Sequence, residues 1–229
     1  MRFLNVTRRG ALGTIAVLIA SGVAFRCGAG TLEVKVTDDA GNPLAQVAVY
    51  ATPVGGTPAA RPKAEQRTAV MDQRDNQFVP HILVISAGTK VQFPNNDVVS
   101  HHVYSFSPAK RFELPLYKGN QYEPAEFAVP GIVVLGCNIH DSMLAYVIVV
   151  PTEHYALSDK AGTARLEGVP PGAYRVEAVT PRSRPLSQPA ERSATVTDGV
   201  TQVDLRVTGR LAPEHDAKHR ANGLSWDRY

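Results

Sequence analysis

Between Gln77 and Val150 the chain passes from an apolar run to a turn and back every few residues, and this punctuation constrains the fold more than any other feature. The runs are Phe78–Ile85, Thr89–Phe93, His101–Phe106, Glu126–Val129, Ile132–Gly136 and Leu144–Val150, with turns such as Ala87-Gly88 and Pro130-Gly131 between them. Runs this short, rich in Val, Ile and aromatic residues, read as strands and leave no room for helices that bury a stripe of their own. Strands this dense predict a compact β-sandwich or barrel. Val, Thr, Gly and Pro are spread along the whole chain without long helix-forming runs, so the expected class is all-β throughout.

The flanks repeat the texture more loosely. Thr31–Asp38 alternates apolar and polar residues, Ala40-Gly41-Asn42-Pro43 turns it, and Gln46–Thr52 resumes, which reads as a hairpin-like opening. Pro53–Pro62 and the polar stretch to Arg74 read as a linker. After Pro151 come Tyr155–Ser158, Thr163–Leu166, Tyr174–Val179, Ser193–Thr197 and Thr201–Val207, with turns at Asp159-Lys160-Ala161-Gly162 and Val169-Pro170-Pro171-Gly172. Residues 37–51 and 158–179 together resemble the carboxypeptidase regulatory-like, transthyretin-like β-sandwich. In that family the two segments lie close in sequence; here residues 52–157 separate them. Loop closure grows only slowly more costly with length, so a folded domain can occupy a surface connection of another if its ends meet. The resemblance therefore implies an inner domain, 70–151, inserted into an outer sandwich of 31–58 plus 152–208, with two domains in series as the alternative. The polar tail 210–229 is expected to be loosely held.

Residues 1–29 read as a signal peptide: a basic start, an apolar stretch from Ala11 to Phe25 and small residues at Ser21–Ala24. The expected destination is the periplasm, by the Sec route or, given Thr7-Arg8-Arg9 with Leu12, the twin-arginine route. No later stretch reaches membrane-spanning length, so no stable span is expected once the signal is removed. The whole chain carries 24 basic and 21 acidic residues, but Arg2, Arg8, Arg9 and Arg26 belong to this leader, and the remainder has 24 − 4 = 20 against 21, or −1. With no basic run left to follow a phosphate backbone, nucleic acid is excluded as a partner. Cys27 follows Arg26, which does not suit lipidation, and Cys137 is then the lone thiol of the folded part. A lone thiol in an oxidising compartment needs burial or a ligand to protect it.

Cys137 opens the segment Cys137-Asn138-Ile139-His140-Asp141-Ser142-Met143, a Cys-x2-His-x2-Met spacing between two apolar strand runs. On a tight loop, side chains three residues apart can converge. Thiolate, imidazole and thioether form a soft donor set that selects copper, and two His, one Cys and a weak axial Met describe an electron-transfer copper centre. The same residues have plain structural readings: Cys137 as a small buried hydrophobe, Met143 as core filler, His140 as a surface side chain. A Cys-His nucleophile would need a third orienting group and gives Met143 no role, so no enzyme activity is expected. Zinc is poorly served by a Met ligand. His81 reads as a packed or edge residue, and His154, His215 and His219 as solvated side chains.

The fourth donor lies upstream. Val91-Gln92-Phe93-Pro94-Asn95 followed by His101-His102-Val103 is similar to the strand pattern of cupredoxins, in which V-x-F/W-x-N precedes H-N-V, and the Cys-x2-His-x2-Met loop resembles that of amicyanins. The resemblance implies a Greek-key sandwich holding one type 1 copper through His101, Cys137, His140 and Met143. His102 stands where the family has an Asn that ties the ligand segments together, so either a His takes that role or the register slips and His102 binds. The resemblance further implies a blue copper carrier of single electrons, with Phe93, Pro94 and Leu144 keeping water away and the edge of His140 as electron port. Its partners would be a redox donor and acceptor, such as a periplasmic dehydrogenase and a c-type cytochrome, and the amicyanin likeness suggests methylamine utilization. A copper carrier or store holding Cu(I), and an envelope binding module without metal, are the alternatives.

Overall fold

In Gly30–Thr37 every second side chain is buried, and Leu32, Val34 and Val36 are wholly enclosed, so one strand face is committed to a core. The computed structural model describes residues 28–55, 67–184 and 189–213. Almost all of the expected leader, together with His215 and His219, lies outside them. The described chain is all-β. It begins with β1 (Gly30–Thr37) and β2 (Ala48–Pro53). A central series follows: β3 (Thr68–Val70), β4 (Asp72–Arg74), β5 (Gln77–Val79), β6 (Ile82–Ser86), β7 (Thr89–Gln92), β8 (His101–Ser107), β9 (Lys110–Tyr117), β10 (Ala125–Phe127), β11 (Gly131–Cys137) and β12 (Leu144–Val150). The chain closes with β13 (Tyr155–Leu157), β14 (Thr163–Val169), β15 (Gly172–Val179), β16 (Ser183–Arg184), β17 (Ala190–Val196), β18 (Val200–Arg206) and β19 (Arg210–Leu211). Among the described residues no helix is long and apolar enough to cross a membrane.

Two hydrophobic cores draw on different parts of the chain. One takes its buried residues from 32–51 and 164–207, between the sheets β14-β1-β18 and β13-β2-β15-β17. The other takes them from 71–149, between the five-stranded sheet β6-β12-β11-β8-β9 and the smaller sheet β10-β7-β3. Each fully buried Val, Leu, Ile or Phe stabilises by about 1.5–3 kcal/mol, so each set is a core in its own right. A third cluster joins them: Ala48 meets Ile82, Ile148 and Val150, with Tyr50 and Val179 alongside. Arg67 and Glu153, on either side of the second core in the chain, lie together: Arg67 forms an ion pair with Glu153 and donates a hydrogen bond to Ser86 Oγ at 2.7 Å.

Four local expectations need correction. β1 and β2 are not a hairpin: β1 pairs with β14 and β18, whereas β2 pairs with β13 and β15. The turn after Asp38 carries the chain from one sheet to the facing one, and alternation looks the same whether two strands pair or face each other across a core. The supposed linker up to Arg74 contains β3 and β4, and Met71 between them is fully buried. Phe78–Ile85 is two strands, because Pro80 lacks the N–H that a continuous ladder requires. Finally, β9 was not foreseen: its charged residues and Pro115 disguise a sheet-edge strand that pairs with β8 alone.

Candidate metal centre

The position of Cys137 follows from strand pairing. β11 runs antiparallel to β8 with Gly136 opposite Tyr104 and Cys137 opposite Val103. Alternation along β8 turns His101, Val103 and Ser105 inward and leaves His102 and Tyr104 on the other face. Cys137 at the end of β11 and His101 at the start of β8 therefore enter the same core at the same end of the sheet. Beyond Cys137 the loop closes on itself, with the Met143 N–H donating to the His140 carbonyl at 2.9 Å, and this returns the His140 ring over the thiol.

His101, Cys137 and His140 offer one donor atom each, all within 4.8 Å of one another. The His101 Nδ1 to His140 Nδ1 distance is 3.1 Å. Cys137 Sγ lies 3.8 Å from His101 Nδ1 and 3.9 Å from His140 Nδ1. His101 is fully buried, Cys137 is 3% exposed, and His140 is half-buried, so one imidazole reaches towards solvent. Met143 is 1% exposed and belongs to the same hydrophobic cluster as Cys137, Phe93 and Phe127. Phe93, Phe112 and Phe127 pack against one another in that cluster as tilted and edge-on rings.

His102 stands apart from this cluster. Its Nε2 lies 2.8 Å from Glu113 Oε1 on β9, and its ring meets Tyr104 edge-on. The tie between the two ligand-bearing segments is made by backbone, with the Asn138 N–H donating to the His102 carbonyl at 3.1 Å. No side chain at position 102 is needed for it. His81 is packed, with Nδ1 3.0 Å from the Leu144 carbonyl and its ring edge-on to Tyr146.

Asp97 was not singled out from the sequence. Its Oδ2 lies 3.0 Å from His101 Nε2. Burial pushes its carboxyl up, but the Asn76 N–H, the His101 ring and the Val98 N–H outweigh this and hold it below the ordinary carboxylate range. The available signal was an acid four residues before a ligand histidine, in an Asn-Asn-Asp segment of a kind common in surface loops. Asn95 supports that turn, accepting from the Asp97 N–H at 2.9 Å and donating to the carbonyls of Val99 and Tyr117.

The residues fit a soft metal ion. Two imidazole nitrogens and one sulfur face a common point, the far nitrogen of the buried ring is already occupied by a carboxylate, and a thioether is buried in the cluster alongside the thiol. Thiolate and thioether donors favour copper among the first-row ions.

No protein-family model matches this chain, and no curated protein matches it. Solved structures with a similar arrangement include the copper-containing nitrite reductase NirK from Thermus scotoductus SA-01, at 26% identity over 43% of this chain and 25% of that one, with a TM-score of 0.35. A reduced amicyanin variant is 22% identical over 44% of this chain and 99% of its own, with a TM-score of 0.33. A purple cupredoxin from Nitrosopumilus maritimus is 21% identical over 37% of this chain and 99% of its own, with a TM-score of 0.32. The chain thus spans a quarter of the nitrite reductase and nearly the whole of the other two.

Proposed function

We propose that this chain is a periplasmic type 1 copper protein that carries single electrons between redox partners, and that His101, Cys137, His140 and Met143 would hold the copper. The observation that carries this reading is the convergence of two Nδ1 atoms and one Sγ within 4.8 Å, from a loop of Cys-x2-His-x2-Met spacing and a separate strand. When bound, copper supplies a one-electron couple. The chain supplies a rigid cradle: Cys137 and His101 stand on paired strands, so little of the donor set need move between oxidation states. Phe93 at 4% exposure and the apolar residues around it keep water out, and the half-buried edge of His140 is the contact through which a partner exchanges electrons. In this reading the second core, 70–151, is the cupredoxin domain, and the surrounding sandwich of 31–58 and 152–208 is its mount in the envelope. A dehydrogenase donor and a c-type cytochrome acceptor are the partner classes the ligand loop suggests.

Adding Cu(II) to the purified mature protein tests the proposal. The expected result is an intense blue thiolate charge-transfer band, the matching electron paramagnetic resonance signal and a reversible one-electron wave. Cys137→Ser abolishes the colour and His102→Ala spares it. Colourless Cu(I) binding that passes to a chelator without a reversible couple identifies a copper carrier instead. The order Asp97, His101, Cys137 also has the outline of an orienting acid, a base and a nucleophile. A thiol only 3% exposed is poorly placed to meet a substrate, which favours the metal reading.

A further inference from the structure

Asp97 is 8% exposed, and a carboxylate that deep must be held by donors. Three N–H groups hold it. The Asn76 N–H reaches Oδ2 at 2.7 Å, the Val98 N–H reaches Oδ1 at 2.7 Å, and His101 Nε2 lies 3.0 Å from Oδ2. Asn76 belongs to the turn Asp75–Asn76, where both residues have positive φ, so the β4–β5 hairpin is bent to bring a backbone donor to this acid. With all three groups donating, the His101 proton sits on Nε2. Its Nδ1 is then left with an open lone pair, facing Cys137 Sγ and His140.

We propose that Asp97 is a positioning residue for the metal centre: its carboxylate fixes the tautomer and tilt of His101 and, as a buried negative charge behind that ring, biases the bound couple towards Cu(II). The first half concerns the chain alone, and the second rests on the copper reading above. A carboxylate behind a ligand imidazole raises the basicity of the ligand and fixes its orientation. A buried anion also lowers the energy of the more positive oxidation state, and the small exposure of Asp97 leaves that charge weakly screened.

Two measurements test this. Nitrogen-15 chemical shifts of neutral His101 in the metal-free wild-type protein should show the proton on Nε2. In the copper-loaded protein, Asp97→Asn keeps an oxygen acceptor for that proton but removes the charge. Its colour should persist while the Cu(I) to Cu(II) ratio at a fixed applied potential rises roughly tenfold, equivalent to about 59 mV for one electron. Asp97→Ala removes the acceptor as well and should weaken copper binding about 10–100-fold. A proton on Nδ1 of His101 overturns the proposal, and so does an unchanged or lowered potential in Asp97→Asn. If the wild-type protein takes up no copper, the copper reading fails by itself and the tautomer decides the positioning role. The tautomer measurement needs no variant, so it also decides that role if Asp97→Asn does not fold.

Discussion

Tyr117 ends β9 directly opposite His101, with 2% of its surface exposed and its hydroxyl inside the second core. The hydroxyl accepts from Gln73 Nε2 and donates to the Phe93 carbonyl, both at 2.5 Å. Tyr117→Phe removes both bonds while Gln73 Nε2 keeps the Pro94 carbonyl at 3.2 Å and the Phe93 carbonyl at 3.4 Å, and should cost about 0.5–1.5 kcal/mol in a denaturant titration. Burial pushes the Tyr117 phenol up to about 12; the hydrogen bond from Gln73 opposes the shift, and Tyr122, Cys137 and Asp72 add to it. The fold then keeps a proton that the unfolded chain releases near pH 10. This contribution to stability is complete below about pH 10 and is lost as the pH climbs to about 12, with a slope of at most about 1.4 kcal/mol per pH unit. Comparing wild-type and Tyr117→Phe stabilities at pH 9 and pH 11 isolates it. Cys137 and His140 were legible as candidates because their spacing is local. The partnership of Tyr117 with Gln73, 44 residues away, was not, because neither residue belongs to a recognisable pattern.

Among the elements, β8, β11 and β12 were legible almost to the residue, because each is a short run of apolar or aromatic residues bounded by recognisable turns. Strand pairing was less legible, as β1 and β2 show, since pairing depends on partners more than a hundred residues away. Glycines on two turns and strands separate close packing from backbone need. Gly162 has φ of +74°, and a Cβ there would lie 2.5 Å from the Val36 carbonyl oxygen, which is itself backbone. Gly162 also accepts from the Val36 N–H at 2.8 Å, so neither side can retreat. Gly162→Ala should cost about 1–3 kcal/mol, measured as a lowered unfolding midpoint. At Gly136 a Cβ would meet the end of the Tyr104 ring at 2.8 Å. That ring is half-exposed and can swing, so Gly136→Ala should cost less than Gly162→Ala under the same conditions. Tyr104 is the side chain that would have to move, which a tyrosine fluorescence change would register.

At the scale of the molecule, the cores are welded by a few apolar residues on the outer faces of β6, β12 and β2. Ile148 is 1% exposed in that seam, and Ile148→Ala should cost about 2–5 kcal/mol through lost burial and the cavity left behind. The expected signature is a calorimetric trace with two separated transitions where the wild type gives one. A single transition at lower temperature would mean that the cores remain coupled by other contacts. The Arg67–Glu153 pair is partly exposed and contributes about 1 kcal/mol or less, so its importance is geometric. It holds Arg67 and Glu153, which flank the second core in the chain, next to each other. A module whose entrance and exit share a doorstep can be cut out, transplanted or circularly reconnected as a cassette, leaving the host's remaining strands to close over the gap with a short bridge.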